Sequence, residues 1–423
     1  MARVFFLNPA FYGVKNFVRT ARWFARSRGR VGRPPDYALI AVGVLERDGH
    51  EVLFIDAAVE NIPFEEIVEK AKRFKPHLIV VTTTTPSIYN DIDQAVRLKE
   101  ATEGYITLIG SHVSALPEET LKINEKVDSV ARGEYDYILR DLARATEGRM
   151  KIEDVKGITY RKNGKILKNK DMPFIENLDE LPFPSWRHIN PKKYFDAGKL
   201  YPFLTLIAGR GCPNRCTFCV LPQTLYGRRY RMRTAKNIVD EIEYDLKLFP
   251  YLKEIMFEDD TLTADRKRCR EICEEIIRRG LHKKLSFSGN SRGDIFDLNL
   301  LKLMKKANFR MLVVGFEFGD QRILNAVHKG ETVEGMRKFA RLARTAGIKL
   351  HGCFMIGGPG ETEETARKTI KLARTIGCDT IQFSALSPYP GTEFYEYCKR
   401  NGSVSYTHLR AHETSLHLVC RHL

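Results

Sequence analysis

No segment of the chain approaches the roughly 18 to 20 consecutive apolar residues that a membrane-spanning helix needs. The run Val4–Leu7 is too short for a signal-peptide core, and no small-residue cleavage site follows it. It reads as a buried first strand, and the chain is read as cytoplasmic. A disulfide framework is missing too. Nine cysteines, an odd number, are spread over 423 residues without a secretion signal. Metal binding or burial is the default for cysteine in that setting. Acidic residues are the minority, 53 against 69 Lys and Arg, which leaves a net charge of +16. That excess favours anionic partners: nucleic acid, an acidic membrane surface or a phosphorylated small molecule. The hydrophobic fraction, 43%, is that of an ordinary folded protein, and the length allows two or three domains.

Residues 1–148 alternate strand-like and helix-like stretches. Strands are expected at Arg3–Asn8, Glu51–Asp56, His77–Thr84, Tyr105–Gly110 and Ser129–Arg132, with amphipathic helices such as Tyr37–Arg47, Phe64–Phe74 and Asp91–Thr102 between them. This alternation predicts a Rossmann-like parallel sheet covered on both faces, with ligands at the carboxyl ends of the strands. Residues 149–195 read as a hairpin around Asn163-Gly164 and an extended linker carrying Pro182 and Pro184. From 196 to 402 six more strands are expected, at Leu204–Ala208, Glu254–Glu258, Leu285–Gly289, Met311–Phe316, Lys349–Ile356 and Thr380–Leu386. Helices such as Ala235–Leu248 and Val333–Thr345 separate them. The fold class is therefore α/β, a Rossmann-like domain followed by a partial (β/α)6 TIM-type barrel with functional residues at strand ends. Residues 403–423 break the pattern and read as a non-native or truncated tail. His408, His412 and His417 in that tail have no strand context that would support a metal site.

Three of the cysteines stand apart. The stretch GRGCPNRCTFC, Gly209–Cys219, spaces Cys212, Cys216 and Cys219 as C-x3-C-x2-C at the end of the barrel's first strand. Three thiolates on one short loop can hold three irons of a cubane and leave the fourth iron to a small molecule. A zinc ribbon would need a second ligand pair, and none lies near. Arg210 and Arg215 are expected to lower the thiol pKa values. Cys269 and Cys273, four apart on one helix, read as packing, as do Cys353, Cys378 and Cys398.

This loop resembles the signature of the radical S-adenosylmethionine (SAM) superfamily. The resemblance implies a 4Fe-4S cluster on Cys212, Cys216 and Cys219, SAM at the open iron, an external electron donor, and cleavage of SAM to a 5′-deoxyadenosyl radical. Phe218 takes the family's adenine-contact position. Later strand ends follow in the family's order. Glu258 and Asp259 suit the ammonium of the methionine half. Ser288, Asn290 and Arg292 suit its carboxylate and the ribose. Glu317 is expected to partner the ribose or Arg292, and Gly357 and Gly358 let backbone approach adenine.

The first 148 residues resemble the cobalamin-binding domain of one subgroup, the class B methylases and oxidative cyclases. Thr82, Thr83, Thr84, Thr85 and Ser87, then Gly110, Ser111 and His112, then Gly133 and Glu134 are the implied cobalamin contacts. The D-x-H-x-x-G motif that gives cobalt a histidine is absent, and His50 has the wrong spacing. Cobalamin is therefore expected to bind without a protein histidine. The implied function is modification of an unactivated carbon of a small-molecule or lipid-like substrate, methyl transfer foremost. Oxidative cyclisation or rearrangement, RNA modification of the methylthiotransferase kind, and a non-catalytic cobalamin or cluster sensor are the alternatives. Nucleic acid is disfavoured as a partner because the recognition domain of tRNA-modifying relatives is missing. Lys15–Arg33 carries Lys15, Arg19, Arg22, Arg26, Arg28, Arg30 and Arg33 without one acid, interleaved with Phe17, Trp23 and Phe24. It reads as a clamp for an anionic substrate or a contact peripheral to a membrane surface.

Overall fold

The computed structural model describes residues 1–13, 17–19, 24–26 and 31–403, of which 24–26 by backbone alone. Lys15, Arg22, Trp23, Arg28 and Arg30, and the tail from residue 404 with its three histidines and Cys420, lie outside the described residues.

The first sheet is built from β1 (Arg3–Asn8), β2 (Glu51–Asp56), β3 (Leu78–Thr82), β4 (Tyr105–Ile109) and β5 (Ser129–Ala131). They pair in parallel in the order β2-β1-β3-β4-β5. Leu78, Ile79, Val80 and Val81 are all fully buried, as a strand with helices on both faces must be. The strand order reverses between β1 and β3. Helices on either side of that point diverge, so a crevice opens beyond the strands' carboxyl ends.

The Asn163-Gly164 hairpin does not lie in a linker. Its strands, β6 (Ile158–Lys162) and β7 (Lys165–Lys168), join the sheet antiparallel to β5. They cover an edge that would otherwise expose unpaired backbone. Both turn residues have positive φ, +50° for Asn163 and +74° for Gly164, the conformation of a tight two-residue hairpin turn.

The second sheet comprises β8 (Phe203–Leu206), β9 (Glu254–Phe257), β10 (Ser286–Ser291), β11 (Phe309–Glu317), β12 (Lys349–Ile356) and β13 (Thr380–Ala385). All six run parallel in sequence order, and among the described residues no pairing closes the ring. Alternate residues divide the two faces. The rings of Phe257, Phe287 and Phe309 contact one another in the outer core, as do those of Phe316 and Phe354. The intervening residues Glu254, Ser288, Asn290, Glu317, His351 and Cys353 face the lumen. On β12, Leu350, Gly352 and Phe354 are buried whereas His351, Cys353 and Met355 stay partly exposed. A closed barrel fills its interior with apolar layers. This lumen is polar and open along one side. Cys269, Cys273 and Cys398 are buried in the outer core.

The two sheets share a core. Tyr37, Ile40 and Val44, on the helix Asp36–Arg47, pack with Ile207, Leu221, Leu225 and Tyr226 of the barrel. The wall between the first sheet's crevice and the cysteine loop is thus continuous.

Candidate functional site

The cysteine loop is fixed by its backbone. The amide of Thr217 donates to Val327 O at 3.0 Å, and its carbonyl accepts from the Phe394 amide at 3.0 Å. Gln223 Nε2 donates to the carbonyls of Thr217 and Cys219 at 3.2 and 2.8 Å. Gly211, at φ +84°, lies where a Cβ would collide with the carbonyl of Arg229. Cys212 and Cys216 are buried and Cys219 is half-buried. Asn214 Nδ2 donates to Cys212 Sγ at 3.3 Å. Among the described residues no three Cys, His, Asp or Glu groups converge on a single metal ion. Three cysteines on one short loop, at C-x3-C-x2-C, are the ligand set of a cubane with one iron left open. Burial pushes the Cys216 thiol up, while Lys329 and Arg292 pull it down.

Arg210 does not serve the thiols. Its guanidinium is 1% exposed and pairs with Glu134 at 2.8 Å and with Asp136 at 2.6 Å. It lies against the rings of Tyr226 and Tyr37. Glu134 is used up in the same cluster, accepting also from Arg231 at 2.8 Å and from the Ile175 amide at 2.8 Å. It therefore bolts the domains together and does not line the crevice.

Around the lumen's rim the expected residues form two groups. Asp259 accepts from the Ala208 amide at 2.6 Å and from Tyr230 Oη at 2.8 Å, and so braces the cysteine loop. Ser288 is fully buried lower in the lumen and donates to Glu254. Glu258, Asn290, Arg292 and Glu317 ring the opening. The partner of Glu317 is Lys329, at 3.2 Å, and not Arg292, which pairs with Asp294 at 2.9 Å and Glu331 at 3.1 Å. Glu317 is a non-glycine residue at φ +63°, next to a register shift; such backbone strain concentrates at functional sites. Glu258 Oε2 and Glu317 Oε2 are buried with no donor among the described residues. Two orphaned acceptors at this rim fit the ammonium and hydroxyl donors of SAM. The amides of Gly357 and Gly358 both donate to Glu361. Phe218 is half-buried against the core.

The crevice between β1 and β3 holds an open pocket. Asn8, Thr82, Thr83, Thr84, Gly110 and Ser111 give it a polar side; Tyr37, Tyr135 and Leu225 give it an apolar one. Such a lining fits cobalamin, an apolar ring fringed with amides. Gly110 sits at φ +126°, where a Cβ would meet Thr83 O at 2.5 Å. Among the described residues no histidine lines the crevice. His112 is buried beside Thr85 Oγ1, at 3.2 Å, and burial lowers its pKa to about 4. Ser87 bonds Asp91 and Arg19, and the Gly133 amide donates to Ser114; Ser87 and Gly133 support the wall from behind, whereas Arg19 lines it.

The two basic-arm residues with described side chains turn inward. Arg19 makes a buried pair with Asp91 at 2.7 Å. Arg33 reaches the barrel and bridges Glu258, at 2.8 Å, and Asp196, at 3.0 Å. Sequence reasoning missed Arg33's target, and also Lys329, Glu331 and Asp36. Lys329 and Glu331 carried a visible signal, the charged run His328–Glu331 before a helix.

Asp36 lines the crevice at the start of its helix. Burial, and next Glu258, raise its pKa to about 7; Thr205, the Tyr37 amide and Arg33 oppose the shift. A carboxyl raised on folding adds stability below its unfolded pKa, and that stability is lost as pH rises through the folded value. Asp36→Asn is therefore expected to remove about 1 to 1.5 kcal/mol of the stability difference between pH 6 and pH 8. Urea unfolding of both proteins at the two pH values measures it. An unchanged difference would mean that Asp36 ionises normally.

Known proteins agree with this layout. The Radical SAM superfamily pattern matches residues 206–373 and the B12 binding domain pattern residues 34–143. An uncharacterised methyltransferase of Pyrococcus horikoshii is 32% identical over 388 residues, covering 91% of this chain and 83% of the relative. The chain belongs to the radical SAM superfamily, in the branch that carries a B12-binding domain. It is an enzyme whose cofactors are a 4Fe-4S cluster, SAM and cobalamin. The anaerobic magnesium-protoporphyrin IX monomethyl ester cyclase of Rubrivivax gelatinosus is 30% identical across 77% of this chain, which spans 59% of that relative. Among solved structures, the radical SAM methyltransferase TsrM of Kitasatospora setae, with tryptophan and a SAM analogue bound, superposes with a TM-score of 0.75 at 20% identity. That match covers 96% of this chain and 77% of TsrM. Among the described residues no helix is long and apolar enough to cross a membrane.

Proposed function

We propose that this enzyme transfers a methyl group to an unactivated carbon of a small organic molecule. The observation that carries the reading is a shared wall. Leu225, six residues past Cys219 in sequence, lines the crevice together with Tyr37, so the segment that follows the cysteine loop forms part of the crevice wall. When bound, the cluster and SAM supply a carbon-centred radical and cobalamin supplies a methyl donor. The chain's own residues bind and orient. Cys212, Cys216 and Cys219 hold iron, and an external donor supplies the electron. Glu258 and Glu317 offer acceptors to SAM, Asn290 and Arg292 frame it, and Gly357 and Gly358 present backbone. Thr82, Thr83, Thr84, Gly110 and Ser111 meet the corrin's amides. Glu134, Asp259, Ser288, Ser87 and His112 hold these groups in place from behind. The domain division at about residue 196, where the linker enters the barrel, follows from the same reading.

Anaerobic incubation of the loaded enzyme with SAM and a strong reductant tests it. Methyl donation yields S-adenosylhomocysteine and radical cleavage yields 5′-deoxyadenosine; both are expected. 5′-Deoxyadenosine without S-adenosylhomocysteine would overturn methyl transfer in favour of a cyclisation, the chemistry named for the Rubrivivax relative.

A further inference from the structure

The open lumen has a charged floor. Lys199 enters it from the segment between the linker and β8 and is 8% exposed. Its ammonium has three donors. Among the described residues it donates to Ser288 Oγ, at 3.3 Å, and Ser288 gives its own hydrogen to Glu254. Among the described residues no carboxylate lies within ion-pair distance of Lys199. The nearby acids each have another donor. Glu254 accepts from Arg310 and from the Leu200 amide, each at 2.7 Å. Asp196 accepts from Arg33 at 3.0 Å and from the Gly198 amide at 2.9 Å. Glu258 accepts from Arg33. A buried ammonium is costly unless it is paired and hydrogen-bonded. Burial and the neighbouring Arg33 accordingly pull the Lys199 amine down to about 8, against the pull of Glu254, Asp196 and Glu258.

Above this floor the lumen changes character. Val313, Cys353 and Met355 lie on adjacent strands and are all half-buried, which makes an apolar strip rising toward Glu317 and the cysteine loop. We propose that Lys199 is the anion-recognising group of the substrate site. The substrate places a carboxylate, phosphate or phosphonate against Lys199 and lays an apolar body along Val313, Cys353 and Met355, its far end at the rim. This assignment rests on the proposed function only in taking the lumen as the substrate's place.

Octanoate and octan-1-ol share one apolar body and differ in charge, so they serve as probes on the full chain carrying iron and cobalamin. By titration calorimetry, wild type is expected to bind octanoate about tenfold or more tighter than octan-1-ol, the value of one charge-assisted hydrogen bond. Lys199→Met should erase the preference and Lys199→Arg should keep it. A preference that survives in Lys199→Met would place the anion on the protein's basic surface and overturn the proposal. So would equal binding of the two probes by wild type. A readout without any variant guards against misfolding: octanoate, and not octan-1-ol, should protect Lys199 from acetylation by acetic anhydride, read by peptide mass spectrometry. Equal labelling with both probes overturns the proposal. None of these measurements requires SAM turnover. Failure of methyl transfer with an intact octanoate preference therefore counts against the proposed reaction alone.

Discussion

Cys216→Ala is expected to abolish 5′-deoxyadenosine formation and to reduce bound iron to background, with the fold retained. The loop does not depend on its thiols for shape. Thr217 is held on both sides of its peptide by Val327 and Phe394, and Gln223 ties the carbonyls behind it. Circular dichroism should therefore be unchanged. What the variant removes is the thiol that faces Lys329 and Arg292, the two cations acting on it most strongly. Without that thiol only two iron ligands of the motif remain, too few to hold three irons of a cubane. Cys273→Ala is the matched control. Cys273 is fully buried on the helix Arg266–Arg278, so its loss costs packing and leaves iron content alone. Iron analysis, the visible spectrum and product assay on both variants measure the contrast. If Cys216→Ala retained stoichiometric iron, the assignment of the cluster to this loop would be wrong.

The strands were legible because their patterns are local. Arg3–Asn8, Glu51–Asp56 and Lys349–Ile356 form where their apolar runs place them, and the three-cysteine spacing stands at a strand end as expected. What escaped was the direction in which strand-end charges point. Arg210, Glu134 and Asp259 occupy positions that suit a ligand, yet each faces another part of the protein. Arg210 and Glu134 lie 76 residues apart, and no periodicity reports a pairing at that range. Arg33 is similar. In sequence it ends a run of cations without an acid, which reads as a clamp for an anionic substrate or a membrane-surface contact. In the structure its partners are Asp196 and Glu258, supplied by the linker and by β9. The hairpin was recognised from Asn163-Gly164, but its place on the edge of β5 depends on which strand is left exposed, a property of the assembled sheet.

Arg210→Met is expected to destabilise the protein by about 3 to 5 kcal/mol, the cost of leaving a buried charge unpaired. Both oxygens of Asp136 accept from this one guanidinium. Glu134 keeps Arg231, so Asp136 is the group left without compensation. Burial works to raise the Glu134 pKa, but Arg210 and Arg231 together hold it below the ordinary value. A depressed carboxylate contributes stability above its unfolded pKa and loses it as pH falls through the folded one. The difference between wild type and Arg210→Met should therefore be full at neutral pH and shrink below about pH 4. Adding Asp136→Asn to Arg210→Met should recover part of the loss, because a neutral amide is cheaper to bury than a lone carboxylate. Tyr37 and Tyr226 rest on Arg210, and Tyr37, Tyr135 and Leu225 line the crevice. Loosening this joint should also let cobalamin escape, seen as a lower cobalt-to-protein ratio after gel filtration. Urea midpoints for the three proteins at pH 7 and about pH 3 separate the electrostatic loss from simple packing, because a packing loss would be the same at both.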